Sequence, residues 1–319
     1  MSINWGFIGA GVVASKALAP AVRSASNANL YAVASRDISK ASSLSPERVY
    51  DNYDELIDDP KVDAIYISLP NNFHAPIASR ALASGKAVLC EKPLTMNYQE
   101  SLELVEAAAL SKSLLVEAIW YRWHPRLIKA CQQIAAGVIG EIGEIGEIVA
   151  AFTYVNSNKG NYRFDPALGG GALLDLGPYP LHLIPSLFGS EARVELLTVN
   201  QEFGPSGVDL VTKVEALING SIKFNFNVSF VGQLRQEISI TGSNGGIKFL
   251  EGAAFTNWNE PSTLLVNDEI YSFESVDAYQ LMVEAVSDVI LGKPAWIPPH
   301  SESLFVMDLI DQIRLSGSK

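Results

Sequence analysis

Three polar side chains with acid–base chemistry lie close together in the second half of the chain. Asp175 and Tyr179 are four residues apart, and His182 follows three residues later. If this segment is helical, the three side chains lie near one face and could exchange a proton with a bound hydroxyl group. The alternative is a capping Asp and a Tyr with its ring in the core, and Pro178 and Pro180 oppose a regular helix.

A lysine directly after a strand-like run is a further candidate. The segment Cys90-Glu91-Lys92-Pro93 follows one such run, and Leu69-Pro70-Asn71-Asn72-Phe73-His74 follows another. In an open α/β sheet, ligands bind at the carboxyl ends of the strands. These segments are therefore candidates for a binding site, although plain surface charge remains the alternative interpretation of Lys92.

A glycine-rich turn near the amino terminus predicts a nucleotide site. The segment Gly9-Ala10-Gly11-Val12-Val13-Ala14 has the G-x-G-x-x-A form of the dinucleotide fingerprint. Gly9 permits a tight turn, Gly11 lets the backbone approach a pyrophosphate, and Ala14 lets the helix pack on the strand. The helix amino terminus would then offer N–H groups and a positive dipole end to the phosphates.

The end of the second predicted strand indicates which dinucleotide is bound. NAD enzymes usually carry an acidic residue there that accepts from the ribose hydroxyls, and this chain has Ser35-Arg36-Asp37. Because a guanidinium can pair with a 2′-phosphate through two hydrogen bonds, the segment favours NADP over NAD. The alternative is that Arg36 is solvated and Asp37 takes the ribose.

The elements that must position these residues alternate up to about residue 123. Buried strands separated by helical crossovers are typical of a doubly wound parallel sheet, so we expect a Rossmann domain over residues 1–123. The predicted strands are residues 3–8, 30–34, 64–69, 87–90 and 114–116, and the predicted helices are residues 12–24, 54–57, 74–84 and 98–110.

The rest of the chain follows a different pattern. Over residues 222–230, apolar and polar residues alternate, which predicts a half-exposed antiparallel strand. Asn219-Gly220, Asn244-Gly245-Gly246 and Asn267-Asp268 supply residues that suit tight hairpins. We therefore expect an α+β domain over residues 124–319 with a mostly antiparallel open sheet. Two helices predicted at 279–291 and 301–315 could pack back on the first domain.

Composition excludes several classes of protein. With 48% hydrophobic and 18% charged residues, the chain can close a large core. The net charge of −12 argues against nucleic acid or an anionic membrane as a partner. No apolar run approaches the roughly 18 residues of a membrane span, and no signal peptide is evident. Two cysteines and four histidines predict neither a disulfide framework nor a metal site. We expect a cytoplasmic protein.

Together, these segments resemble a known enzyme family over nearly the whole chain. The fingerprint, Glu91-Lys92-Pro93, the segment 117–122 (EAIWYR) with Pro125, and the stretch 169–179 are similar to the glucose-fructose oxidoreductase, inositol dehydrogenase and rhizopine-catabolism (Gfo/Idh/MocA) family. The Glu-Ala-x-Trp motif and Tyr179 are most similar to its dimeric dihydrodiol dehydrogenase and NADP xylose dehydrogenase branch.

The resemblance implies an NADP-dependent oxidoreductase that acts on a sugar, a sugar derivative or a cyclic polyol. Its catalytic set would be Lys92, Asp175 and Tyr179, and the Lys92–Pro93 peptide bond would be cis. A free Tyr titrates at about 10, so the Lys92 ammonium would favour the phenolate and Asp175 would hold the lysine. His182 is the alternative acid–base group, since imidazole titrates near neutral pH.

The resemblance also implies binding residues and partners. The cofactor set comprises Gly9, Gly11, Val12, Val13, Ser35, Arg36, Leu69, Pro70, Asn71, His74, Glu91, Lys92, Trp120 and Arg122. The substrate set comprises Trp120, Tyr162, Arg163, Asp175, Tyr179 and His182, although Trp120 also suits a plain core position. Relatives pair through the exposed sheet face, which implies a homodimer or homotetramer. A catalytically idle NADP sensor and an enzyme with a non-sugar substrate such as a dihydrodiol remain alternatives.

Overall fold

The computed structural model describes residues 1–158 and 160–317, and the chain divides into two compact units. The first unit combines Met1–Trp120 with Asp277–Leu304. The second unit combines Tyr121–Val276 with the residues from Phe305 onward. The sequence predicted a division after residue 123, with C-terminal helices that could pack back on the first domain, and residues 277–304 lie in the first unit.

The first unit begins with alternating strands and helices. They are β1 Ile3–Ile8, α1 Ala19–Ser24, β2 Ala28–Ala34, α2 Ile38–Ser43, β3 Arg48–Tyr50, α3 Tyr53–Asp58, β4 Ala64–Ile67, α4 His74–Ala83, β5 Ala87–Glu91, α5 Tyr98–Ser111 and β6 Leu115–Ala118. A π-helical turn, Ala14–Leu18, leads into α1. The six strands form one parallel sheet in the order β3-β2-β1-β4-β5-β6. This is the doubly wound arrangement that the sequence predicted.

The strand order reverses beside β1, because the chain passes from β2 and β3 on one side to β4 on the other. In such sheets the carboxyl ends of the strands leave a crevice at the reversal. All four residues of β4 are buried, as expected for a strand covered on both faces. The short β3 was not predicted, since Arg48, Val49 and Tyr50 form no apolar run.

The second unit is built around one large sheet. Its elements up to residue 273 are α6 Pro125–Ala135, β7 Ile145–Val155, α7 Ala172–Leu176, α8 Pro178–Leu181, α9 Leu183–Phe188, β8 Val194–Phe203, β9 Asp209–Ile218, β10 Ile222–Ser229, β11 Val231–Gly242, β12 Gly245–Phe249, β13 Ser262–Val266 and β14 Glu269–Phe273. The strand order is β14-β13-β12-β11-β7-β10-β9-β8. Only the β7–β10 pair is parallel among these described strands. The prediction of a mostly antiparallel sheet is confirmed.

Strand β10 shows the predicted alternation of buried and less buried residues. Ile222, Phe224, Phe226 and Val228 are buried, whereas Lys223 between them is exposed. The antiparallel prediction holds for its pairing with β9 but not for its pairing with β7, which is parallel. The difference arises because α7–α9 and two strands intervene along the chain between β7 and β10.

Two further helices complete the chain, α10 Ala278–Ile290 and α11 His300–Gly317. Helix α10 belongs to the first unit, where Trp5 Nε1 donates to Ser287 Oγ at 3.1 Å. Asn27 Nδ2 donates to Glu284 O at 2.9 Å and to Asp288 Oδ1 at 2.8 Å. These contacts tie α10 to β1 and to the start of β2. Within residues 1–158 and 160–317, no helix combines the length and apolar character that crossing a membrane requires.

Candidate active site

A cavity of about 470 Å³ opens at the carboxyl ends of β1, β2 and β4 in the first unit. Five of the predicted cofactor residues line it: Gly9, Gly11, Ser35, Arg36 and Leu69. Ala10, Asp37, Lys40, Tyr53 and Ser68 complete the lining. The fingerprint turn and the turn after β2 therefore share one cavity at the reversal of strand order, where a dinucleotide is expected.

The two fingerprint glycines differ in what they allow. Gly9 has a φ of +99°, and an added Cβ would lie 2.4 Å from Ser68 O, so this turn has no room for a side chain. At Gly11 an added Cβ would meet no atom closer than Ser68 Oγ at 3.7 Å. A Cβ at Gly11 would therefore make only ordinary van der Waals contacts, and the exposed backbone there fits the close approach of a pyrophosphate.

The turn after β2 carries two cations beside one engaged carboxylate. Asp37 caps α2, and its Oδ1 accepts from Ser39 N at 3.1 Å and from Lys40 N at 3.2 Å. Hydrogen bonding, above all from the Ser39 hydroxyl, lowers the pKa of Asp37. Lys40 Nζ lies 3.6 Å from Asp37 Oδ2. Lys40 was missed in the sequence, although a residue three positions after a helix cap is a foreseeable neighbour of the capping group.

Buried side chains anchor the turn that carries Lys92. The Lys92–Pro93 peptide bond is cis, and Lys92 is half-buried. Tyr66 OH donates to Glu91 Oε1 at 2.7 Å, just before the lysine. Leu94 N donates to Glu117 Oε1 at 3.1 Å, just after it. Glu91 and Glu117 thus have contacts that fix the backbone around Lys92.

His74 lies between this turn and the turn after β4. Its side chain is fully buried, with Nδ1 2.8 Å from Pro93 O and Nε2 3.0 Å from Leu69 O. Both ring nitrogens therefore face backbone carbonyl groups. Burial is the main cause that lowers the pKa of His74.

The other predicted cofactor residues lie at several places. Val12 is exposed and Val13 half-buried at the start of the π-helical turn. Pro70 precedes a 3₁₀ turn whose first residue, Asn71, is buried. Trp120 is 2% exposed, and its ring stacks on Tyr279 with centroids 5.5 Å apart, as in the alternative core interpretation. Arg122, in the second unit, is also buried.

In the second unit, the segment with Asp175, Tyr179 and His182 forms three short helices, α7 to α9. Asp175 lies in α7, Tyr179 in α8, and His182 joins α8 to α9. Gly177 and His182 keep right-handed helical backbone angles, so the chain follows a helical path across both junctions. The path is interrupted rather than continuous because its prolines lack an N–H donor.

Asp175 forms a short ion pair with Arg163. Arg163 Nε donates to Asp175 Oδ2 at 2.6 Å, and the two side chains are 25% and 7% exposed. The Arg163 guanidinium also lies over the Tyr162 ring, 4.8 Å from its centroid. Burial alone would lower the pKa of Arg163, but the neighbouring Asp175 carboxylate raises it. This pairing was not predicted, since Asp175 was expected to hold Lys92 and Arg163 to line the substrate pocket.

Tyr179 is held by an aromatic cluster. Its ring centroid lies 5.3 Å from that of Phe152, 5.5 Å from that of Phe255 and 6.0 Å from that of Tyr121. Tyr121 OH donates to Tyr179 O at 2.7 Å. The side chain is 8% exposed, whereas His182 is fully buried. Tyr179 therefore has a fixed ring with a small part of its surface accessible.

Asp209, at the start of β9, fixes the beginning of α7. Its Oδ2 accepts from Leu173 N at 2.8 Å and from Thr212 Oγ1 at 2.7 Å. A Cβ on Gly171 would lie 2.2 Å from Asp209 Oδ1. Burial raises the pKa of Asp209. Sequence reasoning missed this residue, because nothing along the chain connects a single Asp in a strand to a helix far before it.

The chain matches two family descriptions that lie side by side along it. Residues 3–118 match "Oxidoreductase family, NAD-binding Rossmann fold", and residues 128–248 match "GFO/IDH/MocA C-terminal domain". The chain belongs to the Gfo/Idh/MocA oxidoreductase family. This family member is therefore an oxidoreductase that binds a nicotinamide dinucleotide, NAD(P), and the cavity and bare glycine backbone of its first unit fit that cofactor.

Similar proteins extend this picture. An uncharacterized oxidoreductase of Rhizobium meliloti is 33% identical, with 99% of this chain and 97% of that protein covered. The trans-1,2-dihydrobenzene-1,2-diol dehydrogenase of Bos taurus is 31% identical, with 86% of this chain and 80% of that protein covered. A 3-ketoreductase from Actinomadura kijaniata, solved with NADP and TDP-benzene, has the same fold, with a TM-score of 0.91, 24% identity, and 99% and 98% of the two chains covered.

Among the described residues 1–158 and 160–317, no group of three or more His, Cys, Asp or Glu side chains could hold a metal ion.

Proposed function

We propose that this family member transfers a hydride between NADP and a carbinol or carbonyl carbon of a sugar, a sugar derivative or a cyclic polyol. The observation that supports NADP most directly is the turn after β2. Arg36 and Lys40 line the cavity there, and the carboxylate of Asp37 is already engaged as the cap of α2. Two cations therefore line the cavity there, beside a carboxylate whose Oδ1 is already engaged by the helix cap.

A 2′-phosphate at this turn would gain charge-assisted hydrogen bonds that NAD cannot form. Ser35, at the same end of β2, adds a hydroxyl group to the lining. The solved 3-ketoreductase from Actinomadura kijaniata contains NADP. These observations support a preference for NADP, because each added phosphate contact stabilises only the phosphorylated cofactor.

The bound cofactor supplies or accepts the hydride, and a protein side chain must accept or donate the proton of the reacting hydroxyl group. We assign this role to Tyr179, whose ring is fixed by its aromatic neighbours. Lys92, on its anchored turn, is assigned as the cation that favours the phenolate form. Asp175 completes the set, and its contact with Arg163 fixes its carboxylate. His182 remains the alternative proton-transfer group, although its complete burial favours Tyr179.

The groups near Asp175 support this substrate class. An ion pair beside the ring of Tyr162 offers both hydrogen-bonding groups and an aromatic face, which suits a polyhydroxylated ring. An aldose-aldose oxidoreductase from Caulobacter crescentus, solved with glycerol, has the same fold, with a TM-score of 0.87 and 20% identity. A dihydrodiol is the second candidate, since dihydrodiol dehydrogenases of several mammals are about as similar as the Bos taurus protein.

Cofactor preference is tested by fluorescence titration of the protein with NADPH and with NADH. We expect tighter binding of NADPH, and we expect Arg36→Ala to weaken NADPH binding roughly tenfold or more while leaving NADH unchanged, as for the loss of a charge-assisted hydrogen bond. Lys61→Ala is the matched control, because it removes an exposed cation from the same unit outside the cavity. Equal affinities for both cofactors would refute the NADP assignment.

The catalytic assignment is tested with a panel of aldoses, cyclic polyols and trans-1,2-dihydrobenzene-1,2-diol, each with NADP⁺. On any substrate found, Tyr179→Phe and Lys92→Ala should each reduce turnover at least 100-fold while NADPH still binds. Near wild-type turnover in both variants would refute the assignment. Cofactor binding without turnover on any compound would instead favour a catalytically idle cofactor sensor on the same fold.

We also propose a homodimer, or a homotetramer built from it, that pairs through the large sheet. Leu197, Phe203 and Leu234 are exposed on strands β8 and β11, and packing them against a second copy would remove apolar surface from water. Sedimentation at micromolar concentration should show a dimer or larger species, and a monomer would contradict this proposal. A cytoplasmic location is proposed as well, since a sequence with two cysteines matches no disulfide framework.

A further inference from the structure

We infer that His74 is a positioning residue for Lys92, and that it acts by donating a hydrogen bond from Nδ1 to the carbonyl oxygen of Pro93. The inference rests on the proposed role of Lys92 and adds a residue that does not touch the substrate. His74, Lys92 and every contact used below lie in the first unit.

The partners of the His74 ring limit its hydrogen bonding. Pro93 O and Leu69 O are both acceptors, at 2.8 Å and 3.0 Å from the two ring nitrogens. A neutral imidazole carries one N–H, so it can donate to only one of these oxygens. Protonation would satisfy both contacts, but it would place a buried charge between two loops.

The surroundings favour the neutral form near neutral pH. Burial chiefly, and also the charge of Lys92, lower the pKa of His74, while the two carbonyl groups and Glu117 act in the opposite direction. The net effect is a lowered pKa. We assign the single N–H to Nδ1 because its contact with Pro93 O is the shorter of the two.

This hydrogen bond completes the anchoring of the lysine turn. The Glu91 carboxylate accepts from Tyr66 OH, and Leu94 N donates to Glu117 Oε1. These two bonds fix residues on either side of the Lys92–Pro93 pair, but neither reaches Pro93 itself. His74 fixes Pro93, so the backbone that carries Lys92 is held from α4 as well as from β4 and β6.

The same ring contacts the other turn at the cofactor cavity. Leu69, whose carbonyl oxygen faces Nε2, also lines that cavity. His74 thus lies between a cofactor-binding turn and the turn of the proposed catalytic lysine. Loss of the bond to Pro93 should therefore change kcat more than cofactor affinity.

Two amide variants separate the ring nitrogens. The amide nitrogen of Asn can take a place near Nδ1, and that of Gln reaches a place near Nε2. His74→Asn should keep the donor to Pro93 O and stay within a few-fold of wild-type kcat. His74→Gln should lose that donor and reduce kcat roughly 10- to 100-fold, as expected when a catalytic group is displaced. The KM for NADP⁺ should change less than kcat in both variants.

A second readout is specific to the lysine. If Lys92 lowers the pKa of the proton-transferring group, His74→Gln should shift the pH profile of kcat to higher pH, in the same direction as Lys92→Ala. His74→Asn should leave the profile unchanged. A purely structural loss would lower kcat without moving this pKa. Equal kcat and equal profiles in the Asn and Gln variants would overturn the inference.

Two measurements do not depend on turnover. Hydrogen exchange of the Leu94 amide, which is bonded to Glu117, should be faster in His74→Gln than in His74→Asn, and equal rates would contradict the proposal. In the wild-type protein, the ¹⁵N shifts of the His74 ring should show a protonated Nδ1, and a bare Nδ1 would overturn it whether or not the variants fold. If Tyr179→Phe and Lys92→Ala keep activity, the proposed function fails, yet these two measurements still test His74.

Discussion

One buried histidine should make the protein less stable as the pH falls. His124 is 3% exposed, and its Nδ1 accepts from Arg126 N at 3.0 Å at the start of α6. Burial chiefly, and also the charge of Arg126, lower the pKa of His124 from 6.5 to about 4. The folded protein therefore resists protonation of this ring in a range where the unfolded chain accepts it.

The sign and size of the effect follow from this difference. Above pH 6.5 His124 is neutral in both the folded and the unfolded protein, so it does not lower the free energy of unfolding. Between pH 6.5 and about 4 only the unfolded chain takes up the proton, so the free energy of unfolding falls as the pH falls. At roughly 1.4 kcal/mol per pH unit, the loss approaches about 3 kcal/mol once the pH reaches the folded value.

The variant His124→Asn isolates this contribution. Asn can accept from Arg126 N as a helix cap but does not titrate. At pH 5, wild type should have lost roughly 2 kcal/mol that the variant keeps, which corresponds to a relative drop in Tm of roughly 3 °C. Calorimetry of both proteins at pH 7.5 and pH 5 measures this, and all other titrating groups cancel in the comparison. Parallel curves for the two proteins would refute the reasoning.

Three further predictions concern the two units separately. Gly9→Ala should lower Tm by several degrees in calorimetry, because its Cβ would clash with Ser68 O. Gly11→Ala should keep the wild-type Tm but weaken NADPH binding in a fluorescence titration. Equal losses of Tm in the two variants would contradict this prediction. Arg163→Met should destabilise the protein by roughly 2 kcal/mol and reduce kcat, since it leaves the Asp175 carboxylate without this cation, and Arg163→Lys should recover part of both. Asp209→Ala should lower the free energy of unfolding in urea by about 1–3 kcal/mol, because Leu173 N and Thr212 Oγ1 lose their hydrogen-bond acceptor. Asp209→Asn should lower it less.

The fold was predictable where its signal is local. Strand β1, Ile3–Ile8, was predicted with its observed bounds because its apolar run is followed at once by the glycine turn. The hairpin at Asn219 and Gly220 was foreseeable because Asn and Gly tolerate positive φ angles. Both residues have positive φ in the structure, 52° and 78°. The parallel pairing of β7 with β10 was not, since strand alternation identifies a strand but not its neighbour.

The site was predictable only in part, for the same reason. Fingerprint spacing identified Gly9 and Gly11, which line the cavity. The ion pair of Arg163 with Asp175 joins residues that are twelve positions apart and separated by an irregular loop, so no helical or strand spacing predicts it. Asp209 contacts Leu173 across thirty-six positions, which only the folded sheet brings together.

The return of residues 277–304 to the first unit has a consequence for biosynthesis. Trp5, fully buried, donates to Ser287, which lies 282 positions later in the chain. The nascent polypeptide must therefore extend beyond residue 287 before the nucleotide-binding unit can cover this part of its apolar surface. A truncated product that ends after residue 120 would expose this surface to chaperones and proteases instead of folding as an independent module.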